Sequence, residues 1–138
     1  MDLNECFKKG LIKRTQRNED LANSLIEMAK IKEDAVNNAK IDNINISAYV
    51  SLAYDALRET LEALCVLNGY KVLSHICIGE LLKDILNNFD YEDFDRMRWI
   101  RNSINYYGKK VDFNQGKELI TKIFAIKEKI IIEHIKNG

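Results

Sequence analysis

Proline is absent from all 138 residues. Average usage is roughly 5%, and proline breaks helix interiors, so a chain without it is free to be helical nearly throughout. Glycine is scarce: six residues stand singly at 10, 69, 79, 108, 116 and 138. No Gly-rich loop exists to cradle a phosphate or to open a dinucleotide fold. Net charge is also lacking, because 21 Lys and Arg balance 21 Asp and Glu. Long apolar runs are missing. The longest, Ala63–Leu67, has five residues, whereas a membrane span takes about 20. The opening Met1-Asp2-Leu3-Asn4-Glu5 is not a basic-then-apolar leader, so neither secretion nor membrane insertion is expected.

Histidine and cysteine are too few for a recognisable metal or cofactor pattern. His75 and His134 are the only histidines, and Cys6, Cys65 and Cys77 form no C-x-x-C pair. No zinc-like spacing results, and neither cofactor nor metal is expected. An odd cysteine count without a leader predicts reduced thiols in a cytoplasmic protein. Nothing in the sequence points to a Ser-His-Asp or Cys-His site.

What remains is a chain with 46% apolar and 30% charged residues, enough to bury a core in one domain spanning 1–138. Hydrophobic periodicity predicts helices over about 17–39, 46–68, 75–88, 91–107 and 113–136, after a short piece at about 3–12. The first stripe reads Leu21, Leu25, Met28, Ala35 and Ala39, interrupted by Lys32; the second reads Tyr49, Leu52, Ala53, Ala56, Leu57, Thr60, Leu64 and Leu67. The third carries Ile78, Leu81, Leu82 and Ile85, and the fifth Ile120, Ile123, Phe124, Ile130, Ile131 and Ile135. Asn68-Gly69 and Gly108 read as helix stops. Ser74 and Asp90 read as N-caps, and Asp112 with Gln115 resembles a capping box. No alternating run reads as a strand. The expectation is an all-α, antiparallel four-to-five-helix bundle.

Charge is segregated around residue 95. Residues 84–95 hold five acids and no base; residues 96–110 hold Arg96, Arg98, Arg101, Lys109 and Lys110 and no acid. Acids at a helix start and bases at its end complement the helix dipole. Bases interleaved with Trp99, Tyr106 and Tyr107 equally suit phosphate contact and base stacking. Helical phase makes Met97, Ile100, Ile104 and Tyr107 the inward stripe and gathers Arg98, Arg101, Asn102 and Asn105 at its border. Helix two offers an acidic strip in Asp55, Glu59 and Glu62. An Arg–Glu bridge between helices and a pocket for an anionic ligand or RNA backbone both fit. Trp99 and Tyr106 fall on the outer face, as a partner surface or as packing against the N-terminal piece.

The stretch Arg101-Asn102-Ser103-Ile104-Asn105-Tyr106-Tyr107-Gly108 resembles the signature of the HEPN superfamily, small helical bundles of prokaryotes. Ala53-Tyr54-Asp55-Ala56-Leu57-Arg58-Glu59, Gly69-Tyr70 and Ser74-His75 extend the likeness. It implies a homodimer, often paired with a minimal nucleotidyltransferase, with Arg98, Arg101, Asn102, Asn105 and Tyr106 facing RNA or a nucleotide. Catalytic members carry a histidine four to six residues after the arginine and cleave RNA without metal, some as toxins of toxin–antitoxin pairs. Here Asn105, Tyr106 and Tyr107 stand at those places. Asparagine moves no proton, and tyrosine with a pKa near 10 is a poor base at neutral pH. The resemblance therefore implies a binding module before a ribonuclease, with a purely structural bundle as the further alternative.

Overall fold

A computed structural model describes residues 1–135. In chain order the elements are α1 (Leu3–Lys8), β1 (Ile12–Arg14), α2 (Glu19–Asn37), α3 (Ile46–Leu67), β2 (Tyr70–Val72), α4 (His75–Ile85), α5 (Tyr91–Tyr107) and α6 (Phe113–Ile130). The last helix runs on as a π-helical turn, Ile131–Ile135; the end expected at 136 lies outside the described residues. The class is largely helical, as expected. One correction is a short antiparallel ladder that pairs Ile12 with Val72 and Arg14 with Tyr70. Three-residue strands are too short to show a two-residue period.

Helix α3 is the axis of the core. It packs against α2, α4, α5 and α6, and Ala53, Tyr54, Ala56, Leu57, Thr60, Leu61 and Leu64 are all buried. Such all-round burial is the mark of a central helix. Thr60 satisfies its hydroxyl by donating to the Ala56 carbonyl at 3.0 Å.

The α2 stripe is one residue out of phase with expectation. Ala22, Ala29 and Val36 are buried, while Leu21, Met28 and Ile31 are exposed. These small residues, seven apart, let α2 lie close on α3, a spacing that an inventory of large apolar residues does not detect. Lys32 turns inward to an ion pair with the buried Glu59 of α3.

Helix ends follow the chemistry in part. Asp112 accepts from the backbone N–H groups of Asn114 and Gln115 at 3.1 and 3.2 Å. Gly69 and Gly108 adopt positive φ of 83° and 64°, the left-handed geometry that ends a helix. Gly69 is doubly constrained, because a Cβ there would stand 3.0 Å from the Thr15 carbonyl oxygen. The Ser74 and Asp90 side chains make no cap bond, contrary to expectation. Asp90 lies at φ −76°, ψ 63°, outside the extended region a capping side chain uses, and it pairs instead with Lys129 at 3.3 Å.

The expectation of three free thiols is corrected. Cys6 of α1 and Cys77 of α4 form a disulfide across 71 residues. Only Cys65 is free, and burial pushes its thiol up to about 12. No helix among the described residues is long and apolar enough to cross a membrane.

Candidate functional site

Helix α5 spans the expected residues, but its inward face is rotated. Phe94, Met97 and Arg98 are buried, Ile100 and Ile104 are partly buried, and Tyr107 is exposed. The seat next to Met97 thus goes to an arginine. Arg98 is only 8% exposed; its Nε and Nη2 both donate to Asp95, at 3.2 and 2.9 Å, which offsets the desolvation of its charge.

One turn on, Arg101 reaches α3. Its Nη2 is 3.5 Å from Asp55 Oδ1, and its guanidinium carbon stands 5.8 Å from the centroid of the Tyr54 ring. On α3 itself, Arg58 lies 4.0 Å from the same Asp55 oxygen and donates to Glu62 at 2.5 Å. Tyr54 is fully buried and stacks on Phe94 of α5, centroids 5.9 Å apart. Its hydroxyl is 3.2 Å from Nδ1 of His75, the first residue of α4. Three helices therefore converge on one polar node containing Tyr54, Asp55, Arg58, His75, Arg98 and Arg101.

The node is electrically incomplete. Asp55 Oδ1, Arg58 Nε and Arg101 Nε are buried and have no hydrogen-bond partner. The Asp55 oxygen is within ion-pair range of two arginines but at distances too long for a strong bond. An unmet buried polar atom costs about 1–3 kcal/mol; here the Asp55 oxygen faces both arginines, so the three atoms are charge-paired with one another but short of hydrogen-bond contact. Burial first, then the positive charges of Arg58, Arg101 and Arg98, push His75 down to about 4. Its imidazole is thus neutral at pH 7, and the same shift makes it a weaker base than an ordinary histidine. Burial likewise holds the Tyr54 hydroxyl well above its ordinary range, with the three arginines opposing. The Tyr54 hydroxyl therefore stays protonated, a hydrogen-bonding group there and not a base.

The expected site residues divide. Arg101 pairs with Asp55 in the node and Glu62 is held by Arg58, while Arg98 lies alongside, bonded to Asp95 and 5.2 Å from the Trp99 ring centroid. Asn105 lies at the edge of the α3–α5 contact, accepting from the Ser51 hydroxyl at 3.2 Å, and Asn102 is half-buried one turn beyond Arg98. Tyr106 is exposed and outside the node. Glu59 is not part of it either, being held by Lys32 on the α2 side. The Arg101 bridge runs to Asp55, not to Glu59 or Glu62. Tyr54, Arg58 and His75 belong to the node without having been singled out by charge or phase. The signal for two of them was local: Tyr54 and Arg58 are four apart, hence on one helix face. No His, Cys, Asp or Glu group among the described residues could hold a metal ion.

No protein-family profile, no curated protein and no solved structure matches this chain.

Proposed function

We propose that this chain is a HEPN-like homodimeric helical module that binds RNA or a nucleotide through Arg101, supported by Arg58 and Arg98. The observation that carries the reading is the trio of buried unpartnered atoms on Asp55, Arg58 and Arg101. A phosphate oxygen taking the place of Asp55 beside Arg101 would accept from its guanidinium, in the charge-assisted geometry that suits guanidinium and phosphate. Exposed Trp99, Tyr106 and Tyr107 on the adjoining helix supply a surface for the second copy or for a minimal nucleotidyltransferase partner. The cell interior is the setting this reading assumes.

The test is binding of fluorescent single-stranded RNA at low and moderate salt. Arg101→Ala is expected to weaken binding at least tenfold and to flatten the salt dependence. Unchanged affinity in that variant removes the site.

His75 favours a second reading, a metal-independent ribonuclease. The motif position lacks a histidine, but His75 sits in the node, neutral and tethered to Tyr54. In this reading Nε2, the ring nitrogen not engaged by Tyr54, takes the proton of a ribose 2′-hydroxyl. The 2′-oxygen attacks phosphorus, and the 5′-oxygen leaves with a proton from water, giving a 2′,3′-cyclic phosphate and a 5′-hydroxyl end. The arginines neutralise the phosphoryl oxygens. Here His75→Ala abolishes cleavage and retains RNA binding; intact RNA in the unaltered protein, with and without metal, excludes it.

A further inference from the structure

The opposite flank of α5 carries a second, separate feature. A groove of about 650 Å³ runs between α5, the 108–112 link and the start of α6. Ile100, Ile104 and Leu119 form an apolar floor. Four basic side chains stand around it against a single carboxylate, Glu118. One of them, Lys122, is ion-paired with Asp93 at 2.9 Å. Arg96, Lys109 and Lys110 are exposed and have no ion-pair partner among the described residues. In a chain of zero net charge this is a strong local excess, and it surrounds a surface that is not itself polar.

The combination specifies the ligand more closely than either part. A bare anion gains nothing from the isoleucine floor, and an apolar molecule gains nothing from three unpaired cations. Three cations exceed what one carboxylate would neutralise, which favours a polyphosphate. Gln115 offers an amide donor and acceptor, and Glu118 an acceptor for hydroxyl or amino groups, beside the floor. We infer that this groove binds a ribonucleoside polyphosphate, with its phosphates on Arg96, Lys109 and Lys110, its base on Ile100 and Ile104, and Glu118 facing a ribose hydroxyl. This site lies apart from the Arg101 node and does not rest on the HEPN reading.

Calorimetric titration of the full chain tests it, with the four ribonucleoside 5′-triphosphates and inorganic tripolyphosphate as probes. At least one nucleotide is expected to bind ten or more times tighter than tripolyphosphate. The double variant Lys109→Ala, Lys110→Ala should lose at least tenfold in affinity for it, and the charge-matched pair Lys13→Ala, Lys71→Ala on the exposed β1–β2 ladder should lose less than twofold. Both lysines are exposed, so thermal unfolding should be unchanged by their removal. The inference is overturned if tripolyphosphate binds as tightly as every nucleotide, if no nucleotide binds at millimolar concentration, or if the Lys13, Lys71 pair loses as much as the Lys109, Lys110 pair. The last result would reduce the binding to general charge attraction.

Discussion

Arg101 stands 5.8 Å above the Tyr54 ring with its Nε buried and unpartnered, while the Tyr54 hydroxyl holds His75 at 3.2 Å. One aromatic ring thus joins the guanidinium to the imidazole. A change in charge at either group is transmitted to the other over a short, poorly hydrated path.

This link makes the His75 titration a reporter. The His75 pKa is lowered in the folded chain to about 4, against 6.5 ordinarily. The folded state therefore binds fewer protons than the unfolded state between those values. The stabilisation is full above pH 6.5 and is lost as pH falls through about 4. The His75 ring resonances in NMR should titrate near pH 4, and denaturation midpoints should fall over the same window. His75→Phe should remove that dependence. Arg101→Ala should move the His75 midpoint upward, since one repelling charge is gone. An unmoved midpoint would show that burial alone sets it.

Lys32 and Glu59 join α2 to α3 through an ion pair with a buried carboxylate. Glu59 is 5% exposed and its carboxylate has Lys32 as counter-charge. Lys32→Met leaves a buried carboxylate unpaired and should cost about 3–5 kcal/mol in urea unfolding. The double replacement Lys32→Met, Glu59→Leu should recover most of that loss, because the penalty belongs to the unpaired charge. Failure of the double variant to recover would mean that packing, not charge, dominates there.

Gly116 is a packing requirement. A Cβ at this position would lie 2.4 Å from Ile46 Cγ1 and 2.9 Å from its Cδ1. Gly116→Ala inside a helix ordinarily favours the helix; here the overlap should outweigh that gain, with a net loss of about 1–3 kcal/mol. Pairing it with Ile46→Val removes the Cδ1 contact but keeps the closer γ-carbon, so the double variant should remain below the unaltered chain.

The Cys6–Cys77 bond closes a loop of 71 residues. Reduction should lower unfolding stability by about 2–4 kcal/mol, read as a lower urea midpoint in the presence of a dithiol reductant. Cys65 should stay unreactive to a thiol reagent in the folded protein, because its thiol is buried and held protonated. Equal midpoints with and without reductant would mean that the bond does not constrain the unfolded chain.

The helical layout was readable because α3, α5 and α6 carry large side chains at three- and four-residue steps, and because Gly108 and Asp112 mark ends by chemistry that acts locally. The phase of α2 was not readable, since its contacts are alanines, which carry little hydrophobic weight and much geometric value. The inward turn of Arg98 was hidden for the opposite reason. Charge argues for solvent, and only the presence of Asp95 one turn back makes burial tolerable. The node could be half seen: Arg101 and Asp55 stood out by charge and spacing. His75 joins them only through the path of the chain from β2 into α4, which no local pattern encodes. The disulfide and the β1–β2 ladder are likewise pairings over long separations.

That ladder has a consequence for synthesis. Residues 12–14 find their hydrogen-bond partners at 70–72 and Cys6 finds its own at 77. During translation this segment is therefore made well before its partners and is among the last of the fold to settle. It must wait, unpaired, until α3 and the start of α4 have cleared the ribosome.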